Sequence, residues 1–191
     1  MLGTKILVYL DQFQGAALPA SWETLGAAEL LAQKIDGEIL ALAVGKGAQV
    51  VAVQAFQYGA GQVFYADDGS LADYRPEPYV SLLVKLVQDQ QVDILLLPTT
   101  TRGRELAAMA AIDLGSGVMP DVIGLDLQDG KVIVTRPVYA GKLLAKAVCN
   151  ARPQIMTTRS RAFNRPQADA SRSGTPVQLA PVMPESEIAT K

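Results

Sequence analysis

Short apolar runs alternate with helical patterns through the first two-thirds of the chain. The runs have the length of strands, and the segments between them repeat their apolar residues at the spacing of a helix face. This alternation predicts an α/β fold with a mostly parallel sheet whose strands are joined by crossover helices. The predicted strands cover residues 5–10, 38–44, 62–66, 93–97 and 154–158.

Four helices are predicted in this region, at residues 21–35, 48–58, 78–90 and 102–114. Ser21 is the expected N-cap of the first helix, and Gly37 lies just past its end. The third helix carries its leucines on one face and Lys85 and Asp89 on the other. Such an apolar face is suited to cover a sheet.

The period changes from helical to strand-like at Asp121. Apolar and polar residues then alternate, Asp129-Gly130 makes a two-residue hairpin turn, and Ala140-Gly141 is a second reversal. These features predict an antiparallel β-meander after the parallel strands. Cys149 falls among the apolar positions of the meander, which favours a small buried core residue over a reactive thiol.

From Asn164 onward the periodic pattern ends. Prolines at positions 166, 176, 181 and 184 interrupt a stretch of serine, alanine and glutamine that has no apolar period. Such a composition favours a linker or a flexible tail. We therefore predict one folded domain over residues 1–163 and a linker or flexible tail over residues 164–191.

Histidine is absent from the 191 residues, and Cys149 is the single cysteine. These counts exclude histidine-activated nucleophiles, histidine general bases, histidine-ligated metals and an internal disulfide. Neither a GxGxxG fingerprint after the first strand nor a Walker loop is present. We therefore expect a protein that is not an enzyme and holds no metal.

The longest stretch without charge, residues 47–66, has the length of a membrane span but holds four glutamines and three glycines. We expect a helix, a turn and a strand there instead of a membrane span. The apolar run after Lys5 ends at Asp11, which argues against a secretory signal, and a single cysteine is typical of a reducing compartment. These features predict a cytoplasmic protein.

Charge is distributed unevenly along the chain. Residues 1–130 carry 7 basic and 16 acidic side chains, whereas residues 131–191 carry 10 basic and 3 acidic ones. Nucleic acid is not the expected partner of this basic end, because the whole chain is acidic and few aromatic residues stand among its arginines. A solvated strand face, an acidic protein partner and a phosphate-bearing cofactor are the open alternatives.

Residues 98–106 follow a buried strand and open the fourth helix, at the edge where open parallel sheets bind ligands. Arg102 and Arg104 lie in the first turn and oppose the helix dipole, so an anion is expected to offset them. Glu105 or a nearby aspartate would make a structural ion pair; a bound phosphate or a carboxylate of another subunit is the alternative. Asp11, which ends the first strand, is interpreted as a loop-capping residue in preference to an adenine contact.

Six blocks of residues follow one another in the second half of the chain. They are Gly103-Arg104-Glu105-Leu106-Ala107-Ala108, Leu114-Gly115-Ser116-Gly117, Asp121-Val122, Thr135-Arg136-Pro137-Val138-Tyr139-Ala140-Gly141-Lys142, Arg152-Pro153-Gln154-Ile155-Met156-Thr157-Thr158-Arg159 and Phe163. In their order and spacing, over about residues 5–163, they resemble the N-terminal domain of the electron transfer flavoprotein alpha subunit. The opening Leu-Asp-Gln departs from the more usual acidic or histidine-containing loop of that family.

This resemblance implies a doubly wound domain of the adenine nucleotide alpha hydrolase-like kind that pairs with a similar beta subunit. It also implies that FAD belongs to the full assembly and is carried mainly by a second domain, so this fragment alone is not expected to bind it. Electrons would pass through the assembly from a flavoprotein dehydrogenase to an acceptor. The candidate interface or anion-site residues are Arg102, Gly103, Arg104, Arg136, Tyr139 and Arg159.

A different class of function stays open at this point. The same parallel-sheet pattern, together with Asp11, is compatible with a small adenine-nucleotide-binding protein of the universal-stress type. A free-standing enzyme is the least favoured interpretation, because its general base would have to come from carboxylates alone.

Overall fold

A computed structural model of the chain describes residues 4–190. It contains four α-helices, α1 (Pro19–Ile35), α2 (Ala48–Gln57), α3 (Pro76–Gln90) and α4 (Thr101–Asp113), and two 3-10 turns, at Gly69–Leu71 and Glu185–Glu187. The strands are β1 (Lys5–Leu10), β2 (Gln12–Phe13), β3 (Ala16–Ala17), β4 (Glu38–Val44), β5 (Gln62–Ala66), β6 (Ile94–Pro98), β7 (Val118–Val122), β8 (Gly124–Gln128), β9 (Lys131–Val138), β10 (Leu143–Val148), β11 (Gln154–Thr158) and β12 (Val177–Gln178).

Seven strands form one parallel sheet in the order β12-β5-β4-β1-β6-β11-β7. Alternate residues of the central strand β1 face the two sides of the sheet, and both sides are covered by helices. Helices α1 and α2 pack with Ile6 and Val8, whereas α3 and α4 pack with Leu7 and Tyr9. The predicted doubly wound α/β fold is therefore confirmed.

The first helix begins earlier than its sequence pattern suggests, and the prediction that Ser21 caps it is wrong. The helix starts at Pro19 after the N-cap Leu18, since proline is preorganised for a first helical position. Ser21 lies inside the helix, where its hydroxyl donates to the carbonyl oxygen of Asp11 at 2.8 Å. The other three helices begin and end within two residues of the predicted bounds.

The predicted meander is confirmed as a separate antiparallel sheet in the order β10-β9-β8. Asp129 and Gly130 both have positive φ angles, as the two-residue hairpin turn requires, and so do Tyr139, Ala140 and Gly141 at the second reversal. The meander connects β7 to β11, which lies between β6 and β7 in the main sheet. Cys149 is half-buried against the core, so the prediction of a buried core position holds in part.

Residues 164–190 lie along the body of the protein. Strand β12 pairs with β5 at the edge of the main sheet, Arg75 contacts Glu185, and Thr190 donates two hydrogen bonds to Glu77. The sequence pattern predicts no element in this segment, because a two-residue strand is too short to show a period. None of the helices in residues 4–190 is long and apolar enough to cross a membrane.

Candidate functional site

The central feature of the site is the crevice between β1 and β6, at the carboxyl ends of both strands. The chain leaves β1 for α1 on one face of the sheet and leaves β6 for α4 on the other. The two connections therefore diverge and leave a gap between them, which is where doubly wound sheets bind ligands. Asp11, Gln12 and Phe13 form one wall of the gap, and Thr100, Thr101 and Arg102 form the other.

Asp11 is the most deeply buried acid of this crevice, with 2% of its surface exposed. Its Oδ2 accepts a hydrogen bond from the Thr100 hydroxyl at 2.7 Å. Its Oδ1 lies 3.7 Å from Nη1 of Arg102 and accepts no hydrogen bond from residues 4–190. Burial raises the pKa of Asp11, while the Thr100 hydrogen bond, the Arg102 charge and the backbone amide of Gln12 lower it by less.

Arg102 links several parts of the crevice. Its Nη1 donates to the carbonyl oxygen of Gln12 at 3.1 Å, and its guanidinium lies 4.8 Å from the ring centroid of Tyr74. Glu105 accepts instead from the Tyr74 hydroxyl at 2.7 Å. Asp11 is thus the nearby anion expected beside a first-turn arginine, whereas Arg104 is exposed and forms no ion pair within the described residues.

The start of α4 is held by Thr100 and Gly103. The Thr100 hydroxyl accepts from the amide of Gly103 at 2.9 Å and so caps the helix while it donates to Asp11. A Cβ atom on Gly103 would lie 2.0 Å from the carbonyl oxygen of Pro98, so the helix passes too close to the end of β6 for any side chain there. Among the candidate interface or anion-site residues, Gly103 therefore has a structural role.

Gln12 is a site residue that the sequence analysis missed. Its buried side chain donates to the carbonyl oxygens of Val44 at 3.0 Å and Lys46 at 3.3 Å and accepts from the amide of Gly15 at 2.9 Å. It ties the loop after β1 to the loop after β4. The sequence shows only that a polar residue directly follows a buried strand. It does not reveal that Gln12 bonds to Val44 and Lys46, because these partners lie 32 and 34 residues away.

Two cavities open into the crevice. One, of about 370 Å³, is lined by Lys46, Tyr74 and Tyr79, and the other, of about 350 Å³, by Asp11 and Thr101. Gln12, Phe13 and Arg102 line both cavities. Arg102 therefore stands on the boundary of two spaces that each have the size of a small-molecule pocket.

The other candidate residues lie on the meander and after β11. Arg159 donates to both carboxylate oxygens of Asp121, at 2.8 and 2.6 Å, so its charge is already paired. Arg136 is half-buried, and its Nε is buried without a hydrogen-bond partner among residues 4–190. Tyr139 is 77% exposed. The three residues therefore differ in their surroundings: the charge of Arg159 is paired, Nε of Arg136 is unsatisfied within residues 4–190, and Tyr139 is exposed.

A patch of exposed apolar side chains extends over both faces of the β9–β10 hairpin, because neighbouring residues of a strand face opposite sides. It consists of Tyr139, Leu143, Leu144 and Val148, and we refer to it as the hairpin patch. Leu144, for example, is 64% exposed. Lys142 and Lys146 lie between these residues on the same hairpin. Exposed apolar side chains with basic neighbours are typical of a surface that contacts another protein.

Gln154 attaches the meander to the main sheet. Its buried side chain accepts from the amide of Val132 at 3.1 Å and donates to the carbonyl oxygens of Val132 at 3.2 Å and Cys149 at 3.0 Å. The residue stands in the Arg-Pro-Gln block that carries much of the family resemblance. Its role in that block is to join two sheets.

Lowering the pH is expected to stabilise the wild-type protein relative to an Asp11→Asn variant. The raised pKa of Asp11 means that the folded state binds the proton more tightly than the unfolded chain does, whose ordinary pKa is 3.8. Stability is therefore gained as the pH falls from 7 through the raised pKa towards that ordinary value. Urea unfolding of both proteins at several pH values measures the difference.

Asp68→Asn is the matched control for this experiment. Asp68 is fully exposed, and hydrogen bonds from Ser70 lower its pKa, so the sign is opposite. The wild-type protein loses stability relative to Asp68→Asn as the pH falls through the lowered pKa. Stability differences that run parallel for the two variants would contradict the assignment of a raised pKa to Asp11.

Comparison with known proteins reveals extensive similarity to one family. The family model described as electron transfer flavoprotein domain matches residues 6–182. Protein FixB of Azorhizobium caulinodans is 36% identical over 191 aligned positions, which cover 97% of this chain and 52% of FixB. The electron transfer flavoprotein subunit alpha of Megasphaera elsdenii is 30% identical, over 97% of this chain and 56% of that subunit.

The matches discriminate between the two functions that remained open after the sequence analysis. They favour an electron transfer flavoprotein alpha subunit over a small nucleotide-binding protein of the universal-stress type. The chain spans about half the length of the relatives it matches.

Proposed function

Because the chain belongs to the electron transfer flavoprotein domain family, we propose that it forms the scaffold domain of an electron transfer flavoprotein alpha subunit. The observation that carries the proposal is the match over residues 6–182, which includes the parallel sheet and the meander. In this role the domain pairs with a beta subunit while electrons pass from flavoprotein dehydrogenases to an acceptor. We propose that FAD is carried by the part of the assembly that corresponds to the remaining length of these relatives.

We propose that this chain does not bind a flavin dinucleotide by itself. A flavin dinucleotide site needs open backbone amides for the pyrophosphate, which glycine-rich loops provide. The loop after β1 instead places the buried Asp11 carboxylate and the tightly hydrogen-bonded Gln12 at this position. We therefore assign FAD to the full assembly and derive no step through it on this chain.

We further propose that the domain is not catalytic and that it belongs to a reducing compartment. Within residues 4–190 no group of three or more His, Cys, Asp or Glu side chains is placed to hold a metal ion. We propose that the domain acts as a carrier component without a catalytic constellation of its own. The single cysteine supports a reducing compartment such as the cytoplasm.

We propose the hairpin patch as the contact for the beta subunit. Its apolar residues are exposed on a hairpin whose backbone is fixed by pairing with β9, so their burial needs little reorganisation. The basic end of the chain, with Lys142, Lys146 and Arg136, favours an acidic partner surface.

Co-expression of this chain with the beta subunit encoded in the same genome tests the pairing. We expect the two chains to elute together in size-exclusion chromatography, and we expect Leu144→Glu to weaken the complex at least about tenfold, because it buries a charge without a partner. Binding of purified chains by calorimetry gives the dissociation constant.

Ile112→Glu is the matched control for Leu144→Glu. Ile112 is 80% exposed on α4, outside the hairpin patch, so the same chemical change there is expected to leave the affinity unchanged. Separate elution of the two wild-type chains would contradict the pairing. Equal weakening by both variants would show that the hairpin patch is not the contact.

A further inference from the structure

The tip of the β9–β10 hairpin extends beyond the three-stranded part of the meander. Strand β8 pairs with β9 from Lys131 to Thr135, where Thr135 lies opposite Gly124. Within the described residues, β10 is the one strand that pairs with β9 beyond Thr135. Residues 136–145 therefore form a two-stranded hairpin, and we refer to them as the arm.

The arm exposes apolar side chains on both of its faces. Residues that lie opposite each other in antiparallel strands share a face, so Leu143 stands on one face with Val138. Leu144 and Pro137 stand on the other face. The two leucines are 58% and 64% exposed. Val134, on the face of Leu143 but before the arm begins, is fully buried in the core, so exposure on this face begins where the hairpin leaves the body.

An arm with two apolar faces needs cover on both sides. A two-stranded hairpin on its own is marginally stable in water, and burial of apolar side chains is what stabilises a small sheet. A partner that lay flat against the hairpin would cover Leu143 or Leu144 and leave the other in water. A cleft that receives the arm covers both leucines. The exposed surface therefore favours an inserted arm over a flat contact.

Strand addition is disfavoured at both edges of the hairpin. Pro137 in β9 has no N–H to donate to a further strand. Lys146 follows the arm on β10, which is an edge strand of the meander, and an edge lysine hinders pairing with another strand. The contact is therefore made by side chains and not by a shared sheet.

The charge of the hairpin indicates an acidic partner. No acidic residue occurs between Asp129 and Asp169, and the hairpin carries Arg136, Lys142 and Lys146. A cleft that receives the arm therefore needs carboxylates close to these three cations. Two copies of this chain would bring like charges together if their hairpins met, so a different chain is the favoured occupant.

The turn at the end of the arm holds Tyr139 in an unusual backbone conformation. Tyr139 and Ala140 have φ angles of 51° and 55°, in the left-handed region that residues with a side chain rarely adopt. Backbone strain of this kind is typical of contact sites, and tyrosine is among the residues that contribute most to protein interfaces. The 77% exposed ring of Tyr139 is thus suited to anchor the tip of the arm.

We propose that the arm inserts into an acidic cleft of the beta subunit, which covers both faces of the arm and receives Tyr139 at its end. The inference rests on the proposed pairing with that subunit and specifies its geometry. Leu143 and Leu144 contact opposite walls of the cleft, and the three cations of the hairpin face carboxylates of the partner.

A pair of variants on the two faces tests the insertion. Leu143→Glu and Leu144→Glu are each expected to weaken binding to the beta subunit at least about tenfold in calorimetry, because each buries a charge against a different wall. Leu143→Ala and Leu144→Ala introduce no charge and are each expected to weaken it about threefold, through lost apolar burial. Ile112→Glu, outside the arm, is the matched control and is expected to leave the affinity unchanged. Thermal unfolding checks that each variant is folded.

The outcomes separate this inference from the pairing itself. If binding is weakened by changes at Leu143 alone or at Leu144 alone, the contact is flat, and insertion is overturned while the pairing stands. If the two wild-type chains do not bind, the pairing fails and the insertion fails with it. Self-association of this chain that Leu143→Glu abolishes would identify a second copy as the occupant and would also overturn the proposal.

Two glycine variants test the tip. Tyr139→Gly and Ala140→Gly both relieve a positive φ angle, so each is expected to raise the midpoint of thermal unfolding by about 2 °C. Tyr139→Gly alone is expected to weaken binding about tenfold, because it alone removes the ring. Equal affinities of the two variants would show that Tyr139 is not an anchor.

Salt tests the acidic walls of the cleft. Raising the salt concentration from about 50 to about 500 mM is expected to weaken binding at least about threefold, because the ions screen the attraction between the cations of the hairpin and the carboxylates. An affinity that does not change with salt would overturn the acidic cleft.

Discussion

Gly103→Ala is expected to lower the free energy of unfolding by about 3 kcal/mol, at the upper end of the cost of overpacking. The new Cβ atom would meet the carbonyl oxygen of Pro98 at 2.0 Å, and this oxygen belongs to the backbone of a central strand. Helix α4 must therefore move away from β6 and loosen the Thr100 cap. Alanine is the better helix former by about 1 kcal/mol, so a loss of stability isolates the steric effect.

Urea unfolding followed by circular dichroism measures this loss. Gly69→Ala is the matched control, because no heavy atom lies within 4 Å of its Cβ position. It is expected to change the free energy of unfolding by less than about 0.5 kcal/mol. If Gly103→Ala were as stable as the wild type, the close approach of α4 to β6 would be wrong.

Gln154→Leu is expected to lower the free energy of unfolding by about 3 kcal/mol, because it leaves three backbone groups without their partner. The amide and carbonyl of Val132 and the carbonyl of Cys149 all bond to this one side chain. Leucine has a similar size, so the loss is caused by unsatisfied polar groups more than by a cavity. The meander is expected to loosen first, and hydrogen exchange at Val132 would speed up.

Arg152→Ala in the same block is the control for Gln154→Leu. Its side chain is half-exposed, at 4.0 Å from Asp93 and 3.5 Å from the carbonyl oxygen of Gly130. Such contacts contribute little, so the change is expected to be within about 0.5 kcal/mol. Equal stability of the two variants would show that Gln154 does not anchor the meander.

Local patterns predicted most of the elements correctly. The apolar run at residues 5–10 and the helical spacing in 78–90 each report how one segment meets the core, and they need no knowledge of neighbours. The turns at Asp129-Gly130 and Ala140-Gly141 were predictable for the same reason, since aspartate and glycine tolerate turn conformations. The positive φ angles of Tyr139 and Ala140 were not predictable, because these residue types rarely adopt them. Ser21 misled the prediction because a serine near a helix start suggests a cap, whereas Pro19 begins the helix.

The candidate site was predictable in part. Two arginines in a first helical turn indicate that an anion is needed, and this follows from the helix dipole alone. That Asp11 is near enough to serve Arg102 follows from the pairing of β1 with β6, which no local pattern contains. Gln12 was missed because its partners lie in the loop after a different strand.

The sequence by itself determined the fold class, the family and the absence of histidine chemistry, because periodicity, motif order and composition can be read without coordinates. Tertiary structure alone decided the position of β11 between β6 and β7, the joining role of Gln154 and the close approach that requires Gly103. The physical reason is that a period shows which face of a segment is buried, but not which backbone group lies against it. Hydrogen bonds and steric contacts between distant segments exist only once the chain has folded.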